Sequence, residues 1–306
     1  MTPQLSSGKF LIVVGGPTAS GKTSWAIELA NHFKTEIISA DSRQFYRELN
    51  IGVARPSEDE LQQVNHHFIA DRSVRDDYSA GQFEHDALQR IASLHQSHDV
   101  VVMVGGSGLF IRAVLSGFHP SQNNPDVRSS LQSRFQAEGL EGLVEELKQK
   151  DPEKSSQIDL KNPQRVMRAL ERLTTEGILH EEQYQSTLSQ RPFSVLEVGI
   201  NHDRSVLYDR INQRVDQMMK DGLLDEVKSL TAFKMRTPLK SVGYTELFDY
   251  LDDQCTLVEA VERIKQNTRR FAKRQLTWFR NQSDTCWYEP TQMDNAISDL
   301  QRKMKL

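Results

Sequence analysis

Short, nearly uninterrupted apolar runs alternate along the chain with segments whose apolar residues recur every three or four positions. The first pattern belongs to strands buried on both faces, the second to amphipathic helices. Residues 10–14 (FLIVV) form the first run; a glycine-rich turn at 15–21 and a helical segment at 23–33 follow, with a second strand expected at 36–40. Phe83, Ala87, Leu88, Ile91 and Leu94 fall on one helical face, after which 99–104 (DVVVMV) is again nearly all apolar and ends in Gly105-Gly106-Ser107-Gly108. Alternating strands and helices predict an α/β fold, a doubly wound parallel sheet with its functional loops at the carboxyl ends of the strands.

From residue 117 the pattern becomes purely helical. Val127, Leu131 and Phe135 share a face, as do Leu140, Leu143, Val144 and Leu147, and as do Val166, Ala169, Leu170 and Leu173, with Pro120, Pro125, Pro152 and Pro163 as punctuation. Strand character returns at 195–200 (VLEVGI). The expected organisation is an α/β core over 1–116, an all-helical insertion over 117–193, and the rest of the core over 194–306. Within that last part, 206–219 and 223–233 read as helices, 241–244 as a turn and 257–279 as a long basic helix.

Composition narrows the picture further. With 306 residues, 37% hydrophobic and 26% charged, the chain has the make-up of an ordinary globular protein. Its two cysteines, Cys255 and Cys286, cannot build a four-thiolate zinc site and fit a reducing compartment, and no apolar run is long enough to span a membrane, so a cytoplasmic protein is expected. A net charge of −4 argues at first against a polyanionic partner. The charge is unevenly spread, however: residues 263–280 carry seven basic side chains and no acidic one, leaving −11 for the remainder. One local surface is therefore expected to attract polyanions while the rest repels them. Phe271, Trp278 and Phe279 interleave with those charges, as in a nucleic-acid groove; the alternative is a solvated helix whose aromatics are core.

The strongest chemical signal is Gly16-Pro17-Thr18-Ala19-Ser20-Gly21-Lys22-Thr23, which matches G-x-x-x-x-G-K-[ST] and lies after a strand and before a helix. In such a P-loop, backbone N–H groups converge on phosphate oxygens, the helix N-terminus and Lys22 add positive charge, and the Thr23 hydroxyl is offered to Mg²⁺. The strand-end Asp that nucleotide hydrolysis requires is missing, because 100–104 runs into glycine. Asp41 is the acid that ends a neighbouring apolar strand, placed to contact a metal or to act as a general base; the competing reading makes Asp41-Ser42 a helix N-cap pair. Ser107 adds a hydroxyl at another strand tip. Tyr46 and Phe110 offer aromatic surface for a planar acceptor, although core packing is the better reading for both. Adjacent side chains in an extended segment point apart, so His66-His67 is not expected to chelate one ion.

Seven blocks together resemble the bacterial tRNA dimethylallyltransferases: GPTASGKT (16–23), ISADSRQFYRELNIGVARP (38–56), VGGSGLFIRAVL (104–115), NPQRVMRALE (162–171), LYDRINQRVDQM (207–218), LKSVGYTE (239–246) and TRRFAKRQLTWFR (268–280). The resemblance implies Mg²⁺-dependent transfer of a dimethylallyl group from dimethylallyl diphosphate to the exocyclic amine of adenosine 37 in tRNA. It implies that residues 16–23 hold the donor diphosphate, a leaving group. Lys22, Arg214 and a Thr23-bound Mg²⁺ would neutralise it, Asp41 would accept the amine proton, and Ser107 would hydrogen-bond the flipped base. Segments matching tRNA contacts are Asp41, Ser42, Arg43 and Gln44; Gln164, Arg165, Val166, Met167 and Arg168; Ser241, Val242, Gly243 and Tyr244; and Lys273, Arg274, Gln275, Trp278 and Arg280, with Ser107 and Arg128 beside them. The helical insertion would clamp the anticodon arm, and the enzyme would act as a monomer. The chain departs from the family's usual residues at Val53 (Thr), Arg55 (Lys), Ser107 (Thr) and Phe110 (Tyr). Rival readings are a free-adenylate isopentenyltransferase, a small-molecule P-loop kinase, and an RNA-binding protein with a vestigial phosphate loop.

Overall fold

A computed structural model describes residues 8–117, 124–177, 191–282 and 284–305; the margins of the expected insertion, 118–123 and 178–190, lie outside the described residues. The chain forms two compact units, Met1–Leu115 with Arg191–Leu306, and Ser116–Gln190. The first unit begins with β1 (Phe10–Gly15), α1 (Lys22–His32), β2 (Ile37–Ser39), α2 (Glu58–Gln63), β3 (His66–His67), α3 (Ala80–Leu94), β4 (Val100–Gly105) and α4 (Gly108–Ser116). The second unit contains α5 (Pro125–Glu138), α6 (Glu141–Lys150), α7 (Pro152–Gln157) and α8 (Pro163–Glu176). The first unit resumes with β5 (Ser194–Ile200), α9 (Arg204–Lys220), α10 (Leu223–Ser229), α11 (Tyr244–Leu251), α12 (Leu257–Arg280), β6 (Cys286–Tyr288) and α13 (Met293–Met304).

The six strands form one parallel sheet in the order β3-β2-β4-β1-β5-β6. This is the doubly wound architecture expected from the alternating pattern. Every residue of β1 and β4 is buried, as a run apolar at each position requires. Alternate side chains serve opposite faces. Leu11, Val13, Val101 and Met103 pack into one core with α3 and α12, while Ile12, Val14, Val100 and Val102 pack into the other with α1 and α13. Gly15 at the end of β1 is level with Gly105 of β4 and Gly199 of β5, and Ser39 of β2 is level with Val104. The loops that follow these four strands therefore leave the sheet along one edge.

The second unit has its own small core of Leu131, Leu143, Leu147, Val166 and Leu170. Three of its prolines start helices. Asn124, Asp151 and Asn162 accept hydrogen bonds from the N–H groups of Val127, Lys154 and Gln164, and the proline after each cap occupies the first turn, where no N–H is needed.

Some elements differ from the sequence expectation. The helix expected over 223–233 stops at Ser229 and tightens into a 3₁₀ turn at Thr231–Phe233, because the hydroxyls of Ser229 and Thr231 bond back to the carbonyls of Glu226 and Lys228. Strands β3 and β6, of two and three residues, are too short to display a period. The expected turn at 241–244 includes Gly243 at φ +98, whose N–H is capped by Glu246, and α11 begins at Tyr244.

Glu226 of α10 ties the loop after β2 to this turn. Its carboxylate accepts the N–H groups of Asn50, Ile51 and Gly52 at 3.0, 2.7 and 3.1 Å and the Tyr244 hydroxyl at 2.6 Å. Arg55 donates from the other side to the carbonyls of Tyr46, Arg47 and Leu49. Burial and the Glu226 charge both push the Tyr244 phenol above its ordinary range, so it remains a donor. Glu226→Ala strands three N–H groups and a hydroxyl at once, and should lower the unfolding free energy by about 3 kcal/mol. Tyr244→Phe removes one bond of the four and should lose about 1 kcal/mol. Urea titration of both variants checks this, and equal losses would remove Glu226 from its bridging role.

Candidate active site and nucleic-acid interface

The loop between β1 and α1 curls through left-handed conformations at Ala19 (φ +62) and Gly21 (φ +89). Lys22, the first residue of α1, folds its Nζ onto the Pro17 carbonyl at 2.6 Å. The Ser20 hydroxyl is buried inside the curl with no hydrogen-bond partner. Such an orphaned donor is unusual in a folded interior and marks a place for ligand oxygens. Four side chains hold the loop from outside: His202 meets the Ser20 carbonyl at 2.8 Å, Arg210 donates to the Ala19 carbonyl at 2.8 Å, Arg214 donates to the Thr18 hydroxyl at 3.3 Å, and Gln275 accepts from the Thr18 N–H at 2.9 Å. Arg210 was not singled out in the sequence. Its spacing of four residues from Arg214 on α9 puts both guanidiniums on one helical face, which is the signal that finds it.

Asp41 follows β2 and is electrostatically close to both Lys22 and Arg214. Burial lowers the Lys22 ammonium to about 8, against the pull of Asp41 and with repulsion from Arg214 adding to the effect. Burial likewise lowers Arg214 and Arg43, each with Asp41 as a partial offset. Three desolvated cations thus share the electrostatic pull of one carboxylate. The imbalance is favourable for an oxyanion of high charge.

Asp41 Oδ1 accepts the Arg43 N–H at 3.0 Å, and its carbonyl accepts the Gln44 N–H. This is an Asx turn rather than a helix N-cap, since no helix follows. The Ser107 hydroxyl accepts the Ser42 N–H at 3.0 Å and lies 3.1 Å from the Ser42 hydroxyl, joining the tips of β2 and β4. Gln44 donates to the carbonyls of Val53 and Ala54 and so steadies its own loop. Tyr46 and Phe110 are core residues: Tyr46 is buried, and the Phe110 ring packs 5.5 Å from those of Phe45 and Phe83. His66 and His67 have separate partners, the Val64 carbonyl and the Glu36 carboxylate.

The basic helix α12 divides its charges between two tasks. Lys265 pairs with Asp216 and Glu262, Arg263 lies 3.9 Å from Asp249, and Arg269 bonds Asn212. Arg270, Lys273, Arg274 and Arg280 remain exposed on the far half of the helix, where Phe271 is also exposed. The buried seam of α12 is Ala260, Ile264, Ala272, Gln275 and Phe279. Trp278 is half-buried with its ring against Gly108, at a position where any Cβ would fall 2.4 Å from the indole.

Three of the side chains expected at a nucleic-acid surface are buried. Gln275 is buried because its carboxamide bonds the phosphate loop; Tyr244 is buried because its hydroxyl bonds Glu226; Val166 is buried because it fills the core of the helical unit. Val242 and Met167 are half-buried at core margins, and Ser241 donates to the Pro238 carbonyl. On the helical unit Arg128, Gln164 and Arg165 are exposed, while Arg168 pairs with Glu171.

Sequence and structure comparisons agree with one another. The sequence model of the family described as IPP transferase matches residues 44–282. The tRNA dimethylallyltransferase of Flavobacterium johnsoniae is 44% identical over 296 residues, covering 94% of this chain and 96% of that one. The tRNA dimethylallyltransferase 1 of Bacteroides fragilis is 41% identical over 300 residues, covering 98% and 100%. Among solved structures, the full-length tRNA isopentenylpyrophosphate transferase of Bacillus halodurans superposes with a TM-score of 0.73 at 34% identity, covering 98% of this chain and 97% of that one. A eukaryotic dimethylallyltransferase solved acting on tRNA shares the fold, with a TM-score of 0.79 at 23% identity over 96% of this chain and 77% of that one.

Proposed function

The chain belongs to the IPP transferase family, and from that premise we propose that it transfers a dimethylallyl group from dimethylallyl diphosphate to the exocyclic amine of adenosine 37 in tRNA. The observation that carries the reading is the meeting of Asp41 with Lys22 and Arg214 at the sheet edge where the phosphate loop emerges. A donor diphosphate fits the curl of residues 16–23, the orphaned Ser20 hydroxyl and the surrounding cations.

In the transfer, the amine nitrogen forms a bond to the allylic carbon while that carbon's bond to oxygen breaks. The bonding pair leaves with diphosphate, and the amine proton passes to the Asp41 carboxylate. The amine lone pair is delocalised into the adenine ring, so nitrogen attack needs that proton acceptor. Lys22 and Arg214 stabilise the negative charge that grows on the leaving oxygen. Ser107, held beside Ser42, is placed to orient the base. The target nucleoside must leave its stack to reach this edge.

Mg²⁺ suits the donor set. Among the described residues no group of three or more His, Cys, Asp or Glu side chains is assembled for a metal, so an ion would be held by the Thr23 hydroxyl, diphosphate oxygens and water. When bound it supplies further charge stabilisation of the leaving diphosphate. Lys273, Arg274 and Arg280 of α12 are the candidate RNA contacts of the first unit, and Arg128, Gln164 and Arg165 are those of the helical unit. No helix among the described residues is long and apolar enough to cross a membrane.

Incubating the protein and Mg²⁺ with labelled dimethylallyl diphosphate and, in parallel, unmodified tRNA, AMP or ATP tests this reading. Label should appear on tRNA alone. Label on AMP without label on tRNA would replace it with a free-nucleotide prenyltransferase.

A further inference from the structure

Gln275 is a buried polar residue in the otherwise apolar seam of the basic helix α12. Its Nε2 donates to the Gly106 carbonyl at 2.9 Å, and its Oε1 accepts the Thr18 N–H at 2.9 Å. Each partner independently fixes the amide orientation, since a carbonyl requires the NH₂ group and an N–H requires the oxygen. The approach is close enough that a Cβ on Gly106 would fall 2.4 Å from Nε2, so this position must be glycine for the strut to fit.

The two partners lie on different loops. Thr18 belongs to the phosphate loop, and its hydroxyl receives Arg214. Gly106 precedes Ser107, whose hydroxyl receives the Ser42 N–H beside Asp41. One carboxamide therefore spans the gap between the donor cradle and the turn that carries the acceptor-side hydroxyl. On the same helix, Lys273 and Arg274 face solvent.

Resting on the transferase reading of this site, we propose that Gln275 is a positioning residue for the donor diphosphate and not an RNA contact. It fixes the outer side of the phosphate loop, so that Thr18 presents its hydroxyl to Arg214, and it locks that loop against the Ser107 turn. Losing it leaves the Thr18 N–H and the Gly106 carbonyl unpaired and lets the two loops drift apart, which weakens phosphate binding without touching the RNA face.

Inorganic pyrophosphate binding by calorimetry, donor KM, kcat and tRNA affinity by filter binding separate the alternatives for two variants. Gln275→Met keeps the volume and removes both bonds. It should weaken pyrophosphate binding and raise donor KM about tenfold, a loss of the size expected for two buried hydrogen bonds, with kcat less affected and tRNA affinity within about twofold. Gln275→Glu keeps the acceptor for Thr18 but can donate to Gly106 only when protonated, and burial favours its protonated form. Its pyrophosphate defect relative to the parent at the same pH should therefore shrink as pH falls from 8 to 6. This readout needs only that variant, so it stands even if Gln275→Met does not fold. A folded Gln275→Met that binds pyrophosphate as the parent does, a Gln275→Glu defect independent of pH, or a loss confined to tRNA affinity would each overturn the proposal. A parent protein that binds no pyrophosphate would overturn the cradle itself and this inference with it.

Discussion

Asp41→Asn should slow prenyl transfer by about 10²–10⁴-fold, the range typical for losing a positioned general base, while tRNA affinity and thermal stability stay close to those of the parent. Asparagine is the informative substitution because its Oδ1 can still accept the Arg43 N–H that closes the turn. What it lacks is the capacity to take a proton from the attacking amine. Asp41→Ala loses the turn acceptor as well, so it should be equally inactive and somewhat less stable. The electrostatics add a second, opposite-signed expectation. Asp41 is the carboxylate that offsets the buried charges of Lys22, Arg214 and Arg43. Neutralising it leaves the cradle more positive, so inorganic pyrophosphate should bind to Asp41→Asn at least as tightly as to the parent. An inactive variant with strengthened pyrophosphate binding identifies a base. Near-normal transfer rates would remove Asp41 from the base role, and weakened pyrophosphate binding with normal kcat would instead make it a donor-site ligand.

The parts of this site visible in the sequence are those whose chemistry is local. Residues 16–23 announce themselves because a phosphate loop is built from one continuous stretch, and Asp41 because it follows the apolar strand that comes next in sequence, although β4 lies between that strand and β1 in the sheet. The sheet was legible for a related reason: β1 and β4 are apolar at every position, which fits burial on both faces. The place of Gln275 was not legible because it depends on partners 257 and 169 residues away, Thr18 and Gly106. Its flanking residues Lys273, Arg274 and Arg280 are exposed, and charge density alone swept it in with them. A finer signal was present, since Ala272, Gln275 and Phe279 fall on one helical stripe, where a polar residue must have a partner. Tyr244 is a parallel case, its hydroxyl bonded to Glu226 of a neighbouring helix. The net positive run shrinks accordingly, because Lys265 and Arg263 answer acidic residues of the same unit and Arg269 bonds Asn212. The exposed basic side chains this leaves lie on the far half of α12.

Lys22→Met should lower kcat/KM for the prenyl donor by about 10²–10³-fold, as expected when a preorganised charge facing a leaving group is removed, and should do so without loss of fold stability. The second half follows from the direction of the Lys22 shift. Its ammonium is lowered from 10.5 to about 8, so in the folded protein desolvation and Arg214 outweigh the attraction of Asp41, and the charge opposes folding. That penalty is fully present below pH 8, where the lysine is charged both folded and unfolded, and it fades as pH rises from 8 to 10.5. Methionine fills similar space with no charge, so the thermal midpoint at pH 7 should be unmoved or raised. The same shift sets the pH dependence of donor binding. On the proposed reading diphosphate meets the charged lysine, so the parent's affinity relative to Lys22→Met at the same pH should hold steady below pH 8 and fall progressively above it, as binding comes to require proton uptake. Lys22→Met should bind weakly at every pH. Pyrophosphate titrations from pH 7 to 9.5 decide the matter: a parent and variant with parallel pH profiles would show that Lys22 does not carry the charge the leaving group meets.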